Sequence, residues 1–488
     1  MAEKVLTGLS PERVFHYFEE ISAIPRPSFS EKAISDYLVS FARDHGFSCV
    51  QDEKCNIIIV RPASPGREDA APIILQGHMD MVCEKTADTK KDMTKEGLEL
   101  FVDGDWIGAK GTTLGGDDGI AVAMALALLE DETLRCPRLE FVCTTSEETG
   151  MEGATAIDLS SLEGKQLINI DTECEGELIC GCAGGGRLDI SLPIERDDAP
   201  GVYRQIRVDG LLGGHSGTEI DKGRANANTL MARVLRHILP HHPVRLASFQ
   251  GGEKDNAIPR EATAVISLPK ESVDGVSALV EEECAKIRAE YGAADPGITI
   301  QMSPIDPSAL TEELLTPLTE ADTRQIVLLL LSLPNGVVRM SHQIEGLVET
   351  SLNLGCLALK EHIFSMTYSL RSSVSAAYEA LRENICFMAE SFGGEVQIRS
   401  EYPAWEYRPD SPLQEKLARI YKAQNGRDTK TATIHAGLEC GILSKKITDL
   451  DAVSIGPNIT DIHTPNERMS ISSVERVYRW VRTVLEEQ

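Results

Sequence analysis

Ala71–Pro72–Ile73–Ile74–Leu75–Gln76–Gly77–His78–Met79–Asp80–Met81 is the stretch on which the fold turns. Its first half is short, apolar and β-branched, the composition of a buried strand. That strand delivers an imidazole and a carboxylate two residues apart, and in extended backbone such positions face the same side. His78 can therefore ligate a metal with Asp80 beside it to orient the ring. A His-x-Asp on its own is more often solvated surface. The metal reading gains weight only from acids and a histidine downstream, most of them just past another strand.

Working outward, an amphipathic helix is expected after Ser10–Pro11, with Val14, Phe15, Phe18 and Ile21 inward, and a second is expected to open at Ser30 and stop at Gly46. Strands follow at 47–51, 56–61 and 73–76, with a hairpin-like pair over 101–110. Thr112–Thr113–Leu114–Gly115–Gly116–Asp117–Asp118–Gly119 then leads into an Ala/Leu-rich helix from about Ile120. Leu139–Glu140–Phe141–Val142–Cys143 is a strand ending in Ser146–Glu147–Glu148–Thr149–Gly150, and Leu167–Ile168–Asn169–Ile170 is one ending in Asp171. Helices alternating with strands predict an α/β fold with a central, mostly parallel sheet flanked by helices, whose ligands gather beyond the carboxyl ends of the strands.

After residue 187 the texture changes to the apolar/polar alternation of antiparallel strands with one wet face. Two α+β units of about 100 residues in tandem, without a close sequence repeat, predict an inserted two-lobed α+β lid domain over 188–400. The first texture returns with a helix over 411–425, a strand at 451–455, the loop Asp461–Ile462–His463–Thr464–Pro465–Asn466–Glu467 and a last helix bearing Val474, Val477, Val481 and Val484. The catalytic domain is thus expected to be discontinuous, 1–187 with 401–488.

The 488 residues are enough for two or three cores, and 42% hydrophobic with 25% charged residues is ordinary for a globular chain. The formal charge of −28 repels phosphate backbones and argues against nucleic acid as a partner. The N-terminus lacks a signal-type apolar segment, and the longest aliphatic run, Ile326 to Leu331, is far too short to span a bilayer. No membrane partner and a cytoplasmic location are expected. The 12 scattered cysteines suit a reducing compartment; Cys180–Gly181–Cys182 reads better as small buried thiols beside a glycine-rich turn than as a metal or redox motif.

His78, Asp80, Asp117, Glu147, Glu148, Asp171 and His463 form one constellation. Two imidazoles with several carboxylates suit zinc, or cobalt and manganese in its place, and exceed what one ion needs. Asp117, in its glycine turn, is the best bridge between two ions, although Asp-Gly turns also simply cap helices. Adjacent Glu147 and Glu148 diverge, so one can bind metal while the other serves as general base. A strand-end Asp such as Asp171 is otherwise a turn former, and a loop histidine such as His463 is otherwise idle. His215, inside Gly213–Gly214–His215–Ser216–Gly217, is either a tight turn or a group that a ligand can approach closely.

These motifs, in this order, resemble the di-zinc peptidases and deacylases related to carboxypeptidase G and aminoacylase. With His435–Ala436–Gly437–Leu438–Glu439–Cys440–Gly441, Gly213–Gly217 and the long insert, the resemblance extends to the aminoacyl-histidine dipeptidases within them. It spans nearly the whole chain. It implies a metallo-dipeptidase that cleaves unblocked, carnosine-like Xaa-His dipeptides with a hydroxide bridging two Zn²⁺. His78 and Asp171 would hold one zinc, Glu148 and His463 the other, and Asp117 would bridge. Glu147 would be the general base, Asp80 would orient His78, and a cis peptide would follow Asp117. His215 would polarise the substrate carbonyl, in its own chain or across a dimer, and Arg371 would clamp a substrate carboxylate. Asn256, His435 and Glu439 would add substrate contacts. An N-acyl amino acid deacylase or tripeptidase on the same scaffold is the nearest alternative, and an inactive metal-stabilised scaffold protein a more distant one. A small dipeptide is the expected partner, and a homodimer is compatible with the two-lobed insert.

Overall fold

The computed structural model describes residues 4–198, 201–306, 308, 311 and 314–487. Residues 1–3 of the N-terminal stretch read above lie outside these. The chain forms two compact units: Met1–Cys182 with Trp405–Thr433 and Leu438–Gln488, and Ala183–Ala404 with Ile434–Gly437. The boundaries differ by a few residues from those expected, and the segment 434–437 belongs to the second unit rather than the first.

The first unit is built on an eight-stranded sheet. In its middle, Ile73–His78 runs parallel to Leu139–Thr144 on one side and to Gln166–Asn169 on the other, and Asp451–Ser454 runs parallel to Gln166–Asn169. Antiparallel strands flank this parallel centre, among them Ser48–Gln51, Ile57–Arg61 and Glu177–Cys182. Every residue of Ile73–His78 and Leu139–Thr144 is buried, as strands covered on both faces must be. In the helix Gly116–Glu130 the backbone of Asp117 and Asp118 is not yet helical; from Gly119 to Leu129 it is apolar all round and buried, packing against Ile73–His78 and the helix Glu12–Ser22. The last helix, Ile471–Glu486, turns Val474, Val477, Trp480, Val481 and Val484 inward, each worth about 1.5–3 kcal/mol of burial. Ser470 caps it by accepting from the Ser473 N–H.

Three local expectations need correction. The first helix is preceded by Pro11 and not capped by Ser10, whose hydroxyl donates to Glu475 instead. The second helix follows Glu31 rather than a capping Ser30, and Glu31 Oε1 accepts from the Phe29 and Ser146 N–H groups. Gly184–Gly186 is no turn but the start of the strand Gly184–Pro193; a Cβ at Gly186 would overlap the Tyr378 hydroxyl.

The second unit holds a nine-stranded antiparallel sheet. The two expected lobes share this one sheet, joined where Arg245–Gly251 pairs with Val348–Lys360 at Gln250↔Ala358 and Gly251↔Leu357, and Gly184–Pro193, which opens the expected lid, lies not among the strands of the first lobe but between Ile363–Ser372 and Glu395–Tyr402. The helices Ala227–Ile238, Val273–Tyr291, Glu320–Ser332 and Ser375–Ser391 contribute to its core. Among the described residues, no helix is long and apolar enough to cross a membrane.

Candidate metal centre

Parallel pairing decides where the acids meet. Ile73–His78 and Leu139–Thr144 are in register, Gly77 opposite Cys143 and His78 opposite Thr144. Gln166–Asn169 lies on the other side of Ile73–His78. The chain therefore leaves all three strands at one edge, where His78 ends its strand and Glu147, Glu148 and Asp171 follow theirs within a few residues. The Ser146 backbone is left-handed (φ 53°), as is that of His463 (φ 61°), a conformation uncommon for residues with a Cβ. The Asp117–Asp118 peptide is cis, as the resemblance implies.

Asp117 stands between the two imidazoles. Its Oδ1 is 3.2 Å from His78 Nε2 and its Oδ2 is 3.1 Å from His463 Nε2. Asp171 Oδ1 lies 3.7 Å from His78 Nε2, and Glu148 Oε2 lies 3.0 Å from His463 Nε2. Glu147 Oε2 is farther off, 3.9 Å from His78 Nε2. His78 Nδ1 hydrogen-bonds to the backbone carbonyl of Asp80 at 3.1 Å and lies 3.4 Å from the carboxylate Oδ1 of Asp80. The two carboxylate oxygens of Asp80 also accept from the N–H groups of Glu147 (3.1 Å) and Glu148 (3.3 Å).

Three overlapping sets of side chains can hold a cation: His78, Asp118 and Asp171; His78, Glu147 and Glu148; and Asp117, Glu148 and His463. Asp118 was not among the expected residues. It is buried, and its Oδ2 accepts from the His78 N–H at 3.0 Å, so it holds the strand end that carries His78. The donor set of imidazole nitrogen and carboxylate oxygen fits a divalent ion of the zinc kind. Glu148 Oε1 supports the fit, being buried without a hydrogen-bond partner among the described residues.

The electrostatics are those of crowded acids. Burial, with Asp171, Glu439 and Glu148 close by, pushes the Glu147 carboxyl well up. Burial likewise pushes Asp171 up to about 7. Asp117 goes the other way: burial would raise it, but the His463 and His78 imidazoles hold it well below the usual carboxylate range. His463, hydrogen-bonded to Asp117 and Glu148, is raised to about 10. A cation in this set would take the place of those protons.

The second unit carries its own cluster. His215, Arg371 and His435 converge on Gly217: a Cβ built there would sit 3.0 Å from His215 Cε1, 3.1 Å from Arg371 Nε and 2.6 Å from the His435 carbonyl. Arg371 is 9% exposed and donates from Nη1 to the Tyr402 hydroxyl at 2.8 Å. His435 is 7% exposed and shares a 2.7 Å hydrogen bond between Nε2 and Ser351 Oγ. Arg371 Nε and His435 Nδ1 have no hydrogen-bond partner among the described residues. Burial, then Arg371 and His215, drives His435 down to about 3, so its ring is neutral. Burial and Arg371 also lower His215.

Of the other expected substrate residues, Asn256 borders the Gly213–Gly217 loop and Glu439 lies in the first unit. Asn256 is exposed and lines an open polar cavity of about 460 Å³ with Arg187, Asp255, Thr367 and Arg399. Its carbonyl accepts from the Ser216 N–H. Glu439 is fully buried in the first unit, where its Oε2 accepts from Gln76 Nε2 and Thr144 Oγ1, both at 2.6 Å. It braces two strand ends and has no exposed surface to offer a substrate. The motif 435–441 is thus divided between the two units, which no local pattern signals.

The pattern of Peptidase family M20/M25/M40 matches residues 74–487. The cytosol non-specific dipeptidase of Escherichia coli (strain K12) is 35% identical over 486 residues, covering 99% of this chain and 99% of that protein. The crystal structure of aminoacylhistidine dipeptidase from Vibrio alginolyticus superposes with a TM-score of 0.91 at 35% identity, covering 99% of this chain and 98% of that one. Aminopeptidase PepT from Bacillus cereus shares the fold at a TM-score of 0.56 and 16% identity, over 98% and 99% of the two chains. On a match this long, with a relative this similar end to end, the chain belongs to peptidase family M20/M25/M40.

Proposed function

We propose that this peptidase hydrolyses unblocked dipeptides, Xaa-His dipeptides among them, with two zinc ions held by His78, Asp171, Asp117, Glu148 and His463. The observation that carries the reading is Asp117, with one oxygen toward each imidazole, 3.2 and 3.1 Å away. Support for a dipeptide substrate comes from the names of the two relatives that are 35% identical over nearly their full length. The cytosol is the proposed location, in keeping with the Escherichia coli relative's name.

Zinc bound in such a set lowers the pKa of water and polarises the peptide carbonyl. The chain's own residues do the rest. Asp117 spans the two imidazoles and His78 is steadied by Asp80. Glu147, half-buried beside them and more distant from His78 than Asp117 or Asp171, takes a proton from the attacking water and returns it to the leaving amine. Arg371 grips the substrate's C-terminal carboxylate through the guanidinium edge that Tyr402 leaves available. Neutral His435 adds a hydrogen bond from the same side of Gly217, and His215 donates to the carbonyl oxygen as negative charge develops on it.

Metal analysis and a substrate panel test this. The purified chain should carry two zinc ions, with cobalt or manganese able to replace them after chelation. It should cleave unblocked dipeptides well ahead of tripeptides and acetylated amino acids. Faster turnover of acetylated amino acids would make it a deacylase on this scaffold and overturn the proposal.

A further inference from the structure

The candidate ligands reach the metal centre on three kinds of support. His78, Glu147, Glu148 and Asp171 stand at the ends of paired strands, whose ladders fix them. Asp117 sits on a glycine turn and His463 on a loop, and neither has such a ladder. Two buried charged side chains stand where these segments meet.

Glu467 is 2% exposed and lies four residues after His463. Its carboxylate accepts from four consecutive N–H groups: Leu114 at 2.8 Å and Gly115 at 3.0 Å on Oε2, and Gly116 at 2.8 Å and Asp117 at 3.4 Å on Oε1. Arg26 is 1% exposed. Its Nη2 donates to the Gly115 carbonyl at 2.6 Å, and its Nη1 donates to the carbonyls of Met79 at 3.1 Å and Asp80 at 3.2 Å. Its own carbonyl accepts from the Met81 N–H at 3.1 Å. Gly115 is thus gripped by the carboxylate at its N–H and by the guanidinium at its C=O. Its φ of 63° needs glycine, and a Cβ at Gly115 or Gly119 would come within 2.5 Å of Arg26 Nη2.

Burying two charges costs several kcal/mol per ion unless the geometry repays it, and apolar side chains of similar size often stabilise a fold as well. What apolar residues cannot do is fix the orientation of a turn through its backbone. We infer that Arg26 and Glu467 are positioning residues for the paired-cation site: Glu467 ties the His463 loop to the Asp117 turn, and Arg26 ties that turn to the His78–Asp80 segment. Together they keep the two oxygens of Asp117 facing both imidazoles. The inference rests on the cation reading proposed above.

The test is zinc affinity, measured on the full-length chain by competition with a chromophoric chelator, for Glu467→Gln and Arg26→Lys. Glutamine keeps the shape but turns one oxygen into a donor against the turn's N–H groups. Lysine keeps the charge but not the fork that spans Gly115, Met79 and Asp80. Each should weaken binding of at least one zinc by about 10–100-fold, the usual cost of losing a group that orients a ligand. Glu175→Gln is the control. Glu175 is also buried but bonded to Arg476, Arg427 and Tyr421, so its loss should lower the melting temperature and leave zinc affinity unchanged. Folded Glu467→Gln and Arg26→Lys with wild-type affinity would overturn the inference, as would equal weakening in Glu175→Gln. If Glu467→Gln does not fold, Arg26→Lys decides alone. A wild-type chain that takes up fewer than two zinc ions would overturn the cation reading, and this inference with it.

Discussion

Replacing Glu147 by glutamine removes a proton-accepting carboxylate and almost nothing else. The side chain is the same size, and the Glu147 N–H bond to Asp80 Oδ1 (3.1 Å) is backbone, so the loop stays where it is. Glu147 Oε2 stands 3.9 Å from His78 Nε2, while Asp117 and Asp171 are nearer at 3.2 and 3.7 Å, so the ligands remain. Neutralising a half-buried acid whose neighbours include Asp171, Glu439 and Glu148 relieves repulsion and should not lower the melting temperature. What is lost is general-base catalysis, worth about 100- to 10,000-fold in rate, or ~3–5 kcal/mol of transition-state stabilisation. The assay is kcat on an unblocked dipeptide, with zinc per chain measured on the same samples. Glu147→Gln should keep two zinc ions and a near-normal KM while kcat falls within that range. A variant that retains more than a tenth of wild-type kcat, or that loses a zinc ion, would refute the assignment of Glu147 as base rather than ligand.

Arg371→Ala should raise KM about 10- to 100-fold for dipeptides with a free C-terminal carboxylate, the loss of a charge-assisted hydrogen bond; an equal loss on amidated dipeptides would remove the clamp role. Gly217→Ala introduces a Cβ 3.1 Å from Arg371 Nε and 3.0 Å from His215 Cε1, so KM should rise and stability should fall by ~1–3 kcal/mol; unchanged kinetics would separate Gly217 from the substrate cluster. His435 gives a pH signature. Its folded pKa, about 3, lies below the unfolded value near 6.5, so the unfolded chain binds the extra proton and stability falls as pH drops from about 6.5 towards 3, by up to ~1.4 kcal/mol per unit. Urea unfolding of His435→Asn should show a correspondingly shallower loss across that window, and identical slopes would count against a neutral buried ring. Chelation should abolish hydrolysis and added zinc restore it, as activity assays before and after dialysis would record.

Much of the architecture was legible because it is local. The helix Pro412–Asn425 stands where the sequence places it, and Ser411 caps it by accepting from the Gln414 N–H. The strands Ile73–His78 and Leu139–Thr144 announce themselves by unbroken apolar runs. Three of the strands that escaped, Thr299–Pro304, Gly336–Met340 and Glu395–Tyr402, are largely exposed and lie at sheet edges or beside the main strand order, where no apolar alternation is needed. Arg26 and Glu467 escaped for another reason. Their bonds go to backbone atoms of a turn about 90 and 350 residues away, and a buried charge in a polar loop looks like any other charge.

By itself the sequence determined most of the buried strands and helices, that acids and a histidine stand at strand ends, and that an antiparallel texture interrupts a parallel one. These are properties of neighbouring residues, set by periodicity, capping and turn chemistry. Only the tertiary structure decided that Asp117 faces His78 across 39 residues and His463 across 346, that the two lobes share one sheet, and that 435–441 is divided between units. Periodicity records how deeply a residue is buried but not which distant partner it meets, and an oxygen-to-nitrogen distance of 3 Å is specified by strand order, register and the grip on a single turn.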